Sequence, residues 1–283
     1  MKAFARQWLL PPGIIQLLAD APPSVKRLWG GQSSKSRTEP IQLDPSGKEA
    51  ASLDELIVAP YGEIVWVETE KLRLFGSAFT SEQNHWVRYF RDGFESLKRF
   101  YELHQPRNQI EAVMLDDTEV GEFSPASFPT GRRPWSFERE YRDSERLALH
   151  GSQDHGPVSR ELLLNEKKRL DGIRDSVAKY GFVKLDNHDF IHFGELLVHD
   201  SRPGRPDYRV CIENGAHRTS LLSHLGWPMI PMAARPSRPW REIRLSDIAR
   251  WPGVLDGTFS EQAARAYFLA HFRDPTAELL PGW

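Results

Sequence analysis

The chain of 283 residues contains one cysteine, Cys211. A single thiol excludes an internal disulfide and a cysteine-rich zinc framework, and it fits a reducing, cytoplasmic setting. An excess of one charge is also lacking: 37 Lys and Arg stand against 39 Asp and Glu, a formal net charge of −2. No global basic field therefore draws the molecule onto nucleic acid, although local basic patches remain. No apolar run reaches the roughly 18–20 residues of a membrane-spanning helix. The N-terminal stretch MKAFARQWLLPPGIIQLLADAPP is split by Pro11, Pro12 and Gly13, and it lacks a small-residue cleavage pattern, which argues against a secretory leader. Its apolar residues, Trp8, Leu9, Leu10, Ile14, Ile15 and Leu18, suit a short helix docked on the protein's own core. A weak peripheral contact with the inner face of a membrane is the lesser alternative. Internal repeats at solenoid periods are absent as well.

What is present is ample material for a core: 40% hydrophobic residues, with 15 Phe and 9 Trp. Residues 30–55 are rich in Gly, Ser, Pro and charge and read as a linker, and EIVWVETEKLRLFG after them suggests one or two strands. A helix is expected over about 82–104, with Thr80 and Gln83 as a capping box and Trp86, Phe90, Phe94, Leu97 and Tyr101 along one face. That aromatic stripe reads as core, or as a stacking platform for a base or sugar. Residues 115–160 form a long irregular segment, the kind of loop that often carries function. Ser159 then caps a helix over about 160–180 that Gly181 ends. FIHFGELLVHD and DYRVCIE read as strands, residues 216–225 as a helix stopped by Gly226, and PMIPMAA as a short buried strand. Thr258 and Glu261 stand at capping-box spacing before a last helix. The resulting expectation is an α+β protein: residues 1–55 as helix and linker, 56–158 as an α/β region, and 159–283 as a core holding a small mixed sheet with packed helices.

The chemistry concentrates in ENGAHRTS, residues 213–220. A strand with alternating Tyr208, Val210 and Ile212 ends at Glu213 and Asn214, and Gly215 permits a backbone conformation that a Cβ opposes. A helix begins at once, and its first N–H groups, with the dipole behind them, favour an anion. The amides of Asn214, Gly215 and Ala216, the side chains of His217 and Arg218, and the hydroxyls of Thr219 and Ser220 make a phosphate cradle. An ordinary polar turn with a solvated arginine is the alternative for the motif alone.

The ordered set IRDSVAKYG (173–181), GAHR (215–218) and LGWPMIP (225–231), spanning about a quarter of the chain, resembles the ParB/sulfiredoxin-like superfamily. In that superfamily a G-x-x-R turn holds nucleotide phosphates. Ala216 stands where sulfiredoxins carry their cysteine, and no helix-turn-helix follows residue 232, so the resemblance is nearest the free-serine-kinase-like branch. It implies a nucleotide-dependent phosphotransferase, using ATP or another nucleoside triphosphate with Mg²⁺, on a hydroxyl of a small molecule or glycan. The alternative is a nucleotide (CTP or ATP) switch, or a noncatalytic binding module for protein or DNA. By sequence proximity Glu213, with Asp200 and Glu195 in reserve, is the carboxylate for the acceptor hydroxyl. His217 is a further catalytic candidate, and Asp154 and His155 of QDHG would face the substrate. The stretches NHWVRYFRDGFESLKRFYELHQP, HGSQDHGPVS and RWPGVLDGTFSEQAARAYFLAHF resemble largely uncharacterised bacterial proteins associated with surface-polysaccharide biosynthesis. No metal site is assigned: His188, His192 and His199 read as a turn leading into a strand. The patches GRRPW and RPSRPWREIR read as solvated loops, with Trp240 a candidate wall for the nucleotide or sugar.

Overall fold

A computed structural model describes residues 41–106, 109–113, 133–136, 149–184, 190–201, 204, 206–234 and 242–277. The apolar N-terminal stretch, His188 and Trp240 lie outside them. In chain order the elements are β1 (Ile41–Gln42), α1 (Leu53–Val58), β2 (Ile64–Glu68), β3 (Leu72–Leu74), β4 (Ser77–Ala78), α2 (His85–Asp92), α3 (Phe94–Leu103) and α4 (Gln109–Ala112). They continue with α5 (Arg160–Tyr180), β5 (Val183–Lys184), β6 (His192–His199), β7 (Asp207–Asn214), α6 (Ala216–His224), β8 (Met229–Ala234), β9 (Glu242–Arg244), α7 (Pro252–Leu255) and α8 (Glu261–Ala270). The class is α+β, as the sequence leads one to expect. Among the described residues no helix is long and apolar enough to cross a membrane.

The main sheet runs β2-β8-β6-β7-β3-β4, and β9 adds to β6. Strands β6 and β7 form its antiparallel spine, β8 runs parallel to the start of β6, and β9 runs parallel to its second half. β3 pairs parallel with β7, placing Arg73 opposite Cys211. The expected boundary at 158/159 does not separate two sheets: β2, β3 and β4 come from before it and complete the sheet that β6, β7 and β8 build. The expected boundary at 55/56 falls inside α1, whose N-cap Ser52 and Glu55 form a capping box.

Strand alternation divides the core between the two faces of the sheet. Leu196, Val210 and Ile212 pack on one face with Leu56, Phe193 and Leu222. Leu197 and Cys211 face the other, under Trp135 and, from the C-terminal segment, Trp251, Tyr267 and Phe268. A third cluster joins α2, α3 and α5 through Trp86, Phe100, Tyr101 and Leu170. The fully buried Arg73 ties β3 to the C-terminal segment, its guanidinium donating to the carbonyls of Glu70, Leu72 and His271 at 2.6–2.7 Å. Burial, with Arg209 nearby, holds its pKa down at about 10.

Two helix starts differ from the sequence expectation. The aromatic helix begins at Asn84, whose side chain accepts from the amides of Trp86 and Val87; Gly93, at φ 83°, breaks it into α2 and α3. Gln83 instead accepts from the Ala78 amide and Thr80 donates to the Pro275 carbonyl, so neither caps. Helix α8 is capped by Ser260, two residues beyond Thr258. Ser159 and Gly181 do bound α5.

Burial depresses three histidine pKa values: His271 to about 3, His104 to about 4, and His85 in the same direction. Between about pH 6 and pH 4.5 the unfolded chain therefore binds more protons than the folded one, and stability falls on acidification. The slope should approach ~1.4 kcal/mol per pH unit for each histidine. Urea midpoints should drop clearly from neutral pH to about pH 5; an unchanged midpoint would mean that these rings are not held neutral in the fold.

Candidate functional site

Strand β7 is continuous with α6 through a single residue, Gly215, which adopts φ 85°, ψ 16°. An added Cβ there would lie 2.9 Å from the Ile191 Cα. Glycine is thus required twice, for the left-handed conformation and for the close approach of the neighbouring chain. No side chain caps α6, so its first turn presents backbone donors at the end of the sheet. Across from it, a bulge in β6 puts Gly194 against the Glu213 carboxylate, whose Oε2 lies 2.8 Å from where a Gly194 Cβ would stand.

This junction opens into a cleft of about 310 Å³ lined by Glu213, Asn214, Gly215, Ala216 and His217 together with Asp154. Six of the sequence-derived candidates therefore meet in one place. The cleft's remaining polar wall is Gln153, Arg133 and Arg169, and its apolar wall includes Leu74, Phe75, Trp86 and Ile212. Phe75 and Gly76 form a two-residue hairpin turn with φ 47° and 84°, which sets the Phe75 ring about 6.0 Å from the Arg133 guanidinium.

Partners behind the wall fix these groups. Arg133 is ion-paired with Glu195, a residue 3% exposed on β6. Glu166 of α5, 1% exposed, accepts from His217 Nε2 at 2.6 Å and from Arg169 Nη1 at 3.1 Å. The His217 ring packs 4.1 Å from that of Trp86. The QDHG loop is pinned by the Gln153 carbonyl, which accepts from the Tyr101 hydroxyl at 2.8 Å and from His85 Nε2 at 3.1 Å. Gly156 completes the dock: its amide donates to the His104 carbonyl at 2.7 Å, and a Cβ there would strike the Tyr101 carbonyl. Burial, then the carboxylates of Glu166 and Asp154, raise the Tyr101 pKa well above its ordinary value. The aromatic stripe thus lies in the core with one member, Trp86, at the cleft.

The structure does not bring every candidate to the cleft. The Thr219 hydroxyl donates to the Gly215 carbonyl at 3.2 Å, and the Ser220 hydroxyl donates to the Ala216 carbonyl at 2.9 Å, so both turn back into α6. Arg218 is half-buried outside the lining. His155 also lies off the lining, its Nδ1 donating to the Gly156 carbonyl. Glu195 reaches the cleft only through Arg133. Asp200 is at the far end of β6 from the cleft, where it accepts from the Ser246 amide and hydroxyl and pairs with Arg244. Those hydrogen bonds hold its pKa below the usual carboxylate value against the opposing effect of burial. His192 and His199 stand at opposite ends of β6, and no group of three metal-ligating side chains exists among the described residues.

Arg133, Arg169 and Glu166 are the site residues that sequence reasoning misses. A larger hollow of about 510 Å³, lined by Phe94, Lys98, Leu163 and Leu164 among others, lies along α3 and α5. Its lining includes Glu95, Glu102, Lys98 and Arg160, but none of the residues of the strand–helix junction at 213–217 that the sequence singles out.

Gly215→Ala should destabilise the chain by about 1–3 kcal/mol, from the strained φ and the crowding; a melting temperature equal to that of the parent chain would contradict the tight junction. Compared with protein-family models, curated proteins and solved structures, the chain matches none.

Proposed function

We propose that the chain is a nucleotide-dependent phosphotransferase that moves a phosphoryl group from ATP, or another nucleoside triphosphate, to a hydroxyl of a small molecule or glycan. The observation that carries this reading is the meeting of Arg133, Arg169, His217 and the uncapped N-terminus of α6 with two carboxylates in one cleft. Phosphoryl transfer asks a protein chiefly for charge neutralisation and alignment, and arginines beside helix amides provide both. Asp154, on a loop pinned from below, is placed to orient the acceptor hydroxyl. Glu213 offers carboxylate oxygens to a Mg²⁺ carried in on the nucleotide, where the ion would neutralise phosphate charge. The resemblance of GAHR and its flanking segments to nucleotide-binding proteins of the ParB/sulfiredoxin-like superfamily supports the same reading, and the separate similarity of other stretches to surface-polysaccharide proteins suggests its context.

A second reading is a nucleotide switch for protein or DNA association. It is favoured by the pairing of Arg133 with Glu195 and of Arg169 with Glu166. A bound phosphate would compete with both carboxylates, and the re-pairing would bias the elements that carry them.

Thermal-shift measurements with ATP, ADP, CTP and GTP plus Mg²⁺ should show stabilisation by at least one nucleotide. No shift with any of them would sink both readings, and a shift without phosphate release or transfer would leave the switch. Arg169→Ala should weaken nucleotide binding about tenfold, equivalent to ~1.4 kcal/mol; unchanged affinity would place the phosphates elsewhere.

A further inference from the structure

Glu166 sits in the seventh position of α5, on a helix otherwise rich in solvated charge, yet it is 1% exposed. A carboxylate is costly to bury unless both oxygens are paired, and here both are. Oε2 meets His217 Nε2 at 2.6 Å and Oε1 meets Arg169 Nη1 at 3.1 Å. A carboxylate can only accept, so the proton on this contact belongs to Nε2. Among the described residues His217 Nδ1 has no hydrogen-bond partner, and the ring lines the cleft. Trp86, 4.1 Å away, packs against the imidazole and opposes its rotation.

We propose that Glu166 is a positioning residue that fixes His217 as the Nε2–H tautomer, so that Nδ1 faces the cleft as proton acceptor for the incoming hydroxyl. This rests on the phosphotransferase reading. In the step, the acceptor oxygen bonds to the γ-phosphorus of a nucleoside triphosphate as the bond from that phosphorus to the β–γ bridging oxygen breaks. The bridging oxygen keeps the electron pair and leaves with the nucleoside diphosphate. The hydroxyl proton passes to Nδ1, and the imidazolium that forms lies against the Glu166 carboxylate. Carboxylate, imidazole and hydroxyl then divide the work as in other carboxylate–histidine pairs. The charged or titratable groups around the ring are Glu166 and Arg169 from α5, His85 from α2, Glu213 at the end of β7, and Asp154 and Arg133 from the loops. Burial holds the His85 ring neutral.

The test is imidazole ¹⁵N NMR on the whole chain at mildly alkaline pH, with the His217 signal identified by its loss in His217→Gln. The wild-type ring should be the Nε2–H tautomer. In Glu166→Gln, Arg169 can only donate and keeps the amide oxygen, so the amide NH₂ faces Nε2 and the ring should switch to Nδ1–H. The same variant should lose about 10²-fold or more in kcat with KM for nucleotide changed by less than about threefold. An Nδ1–H tautomer in the wild type overturns the proposal even if the variant fails to fold. An unchanged tautomer in Glu166→Gln, or a switched tautomer with unchanged kcat, overturns it as well. An Nε2–H ring in a chain that transfers no phosphate from any nucleoside triphosphate would overturn the base role together with the phosphotransferase reading. The tautomer result distinguishes that failure from a failure of the pairing.

Discussion

The left-handed turn at Gly215 is the constraint on which the site depends. It lets β7 run into α6 with no intervening loop, and it holds the Ile191 backbone so close that a side chain would not fit. Because β7 is paired on both sides, by β6 and β3, the position of that helix N-terminus is set by the sheet and not by a mobile connection. The cleft therefore has a rigid floor, and the residues that line it need only be brought up to a fixed point.

They are brought up by buried polar contacts that link separate elements. Glu195 on β6 holds Arg133, Glu166 on α5 holds both His217 and Arg169, and the carbonyl of Gln153 is held by Tyr101 and His85. Each contact carries an obligation, since removing one partner leaves a desolvated group that costs ~1–3 kcal/mol, or more when charged. An apolar core of the same volume would serve stability as well or better. Their common effect is to aim cations and an imidazole at one cleft while keeping the compensating carboxylates behind its wall.

Much of this was legible in the chain, and the gaps have physical causes. The spine strands, α5, α6 and β8 announce themselves through alternation, caps and glycine stops, and ENGAHR marks the strand–helix junction because glycine followed by a helix start is a local signal. The break at Gly93 was hidden because the aromatic periodicity continues across it. Asp200 looked near the site only because sequence proximity to a strand does not say which end is near the cleft; the hairpin puts its Ser246 contact at the opposite end. Thr219 and Ser220 are close to the junction in sequence, but one turn into a helix a hydroxyl readily bonds the carbonyl four residues back. Glu166, Arg133 and Arg169 carried no local signal at all. Glu166 is 51 residues from His217, and Arg133 is 62 from Glu195. Such pairs are set by tertiary packing, as is the parallel pairing of β3 with β7 that makes one sheet from two expected regions.

The proposed phosphotransfer requires that phosphate bind at the first turn of α6. Backbone amide NMR during titration with Mg²⁺-ATP addresses that directly. The largest shifts should fall on Gly215, Ala216 and His217, with smaller ones at Asp154 and along the Arg169 turn of α5. Shifts centred on Lys98 and Leu164 in the larger hollow, with the α6 amides unmoved, would contradict it.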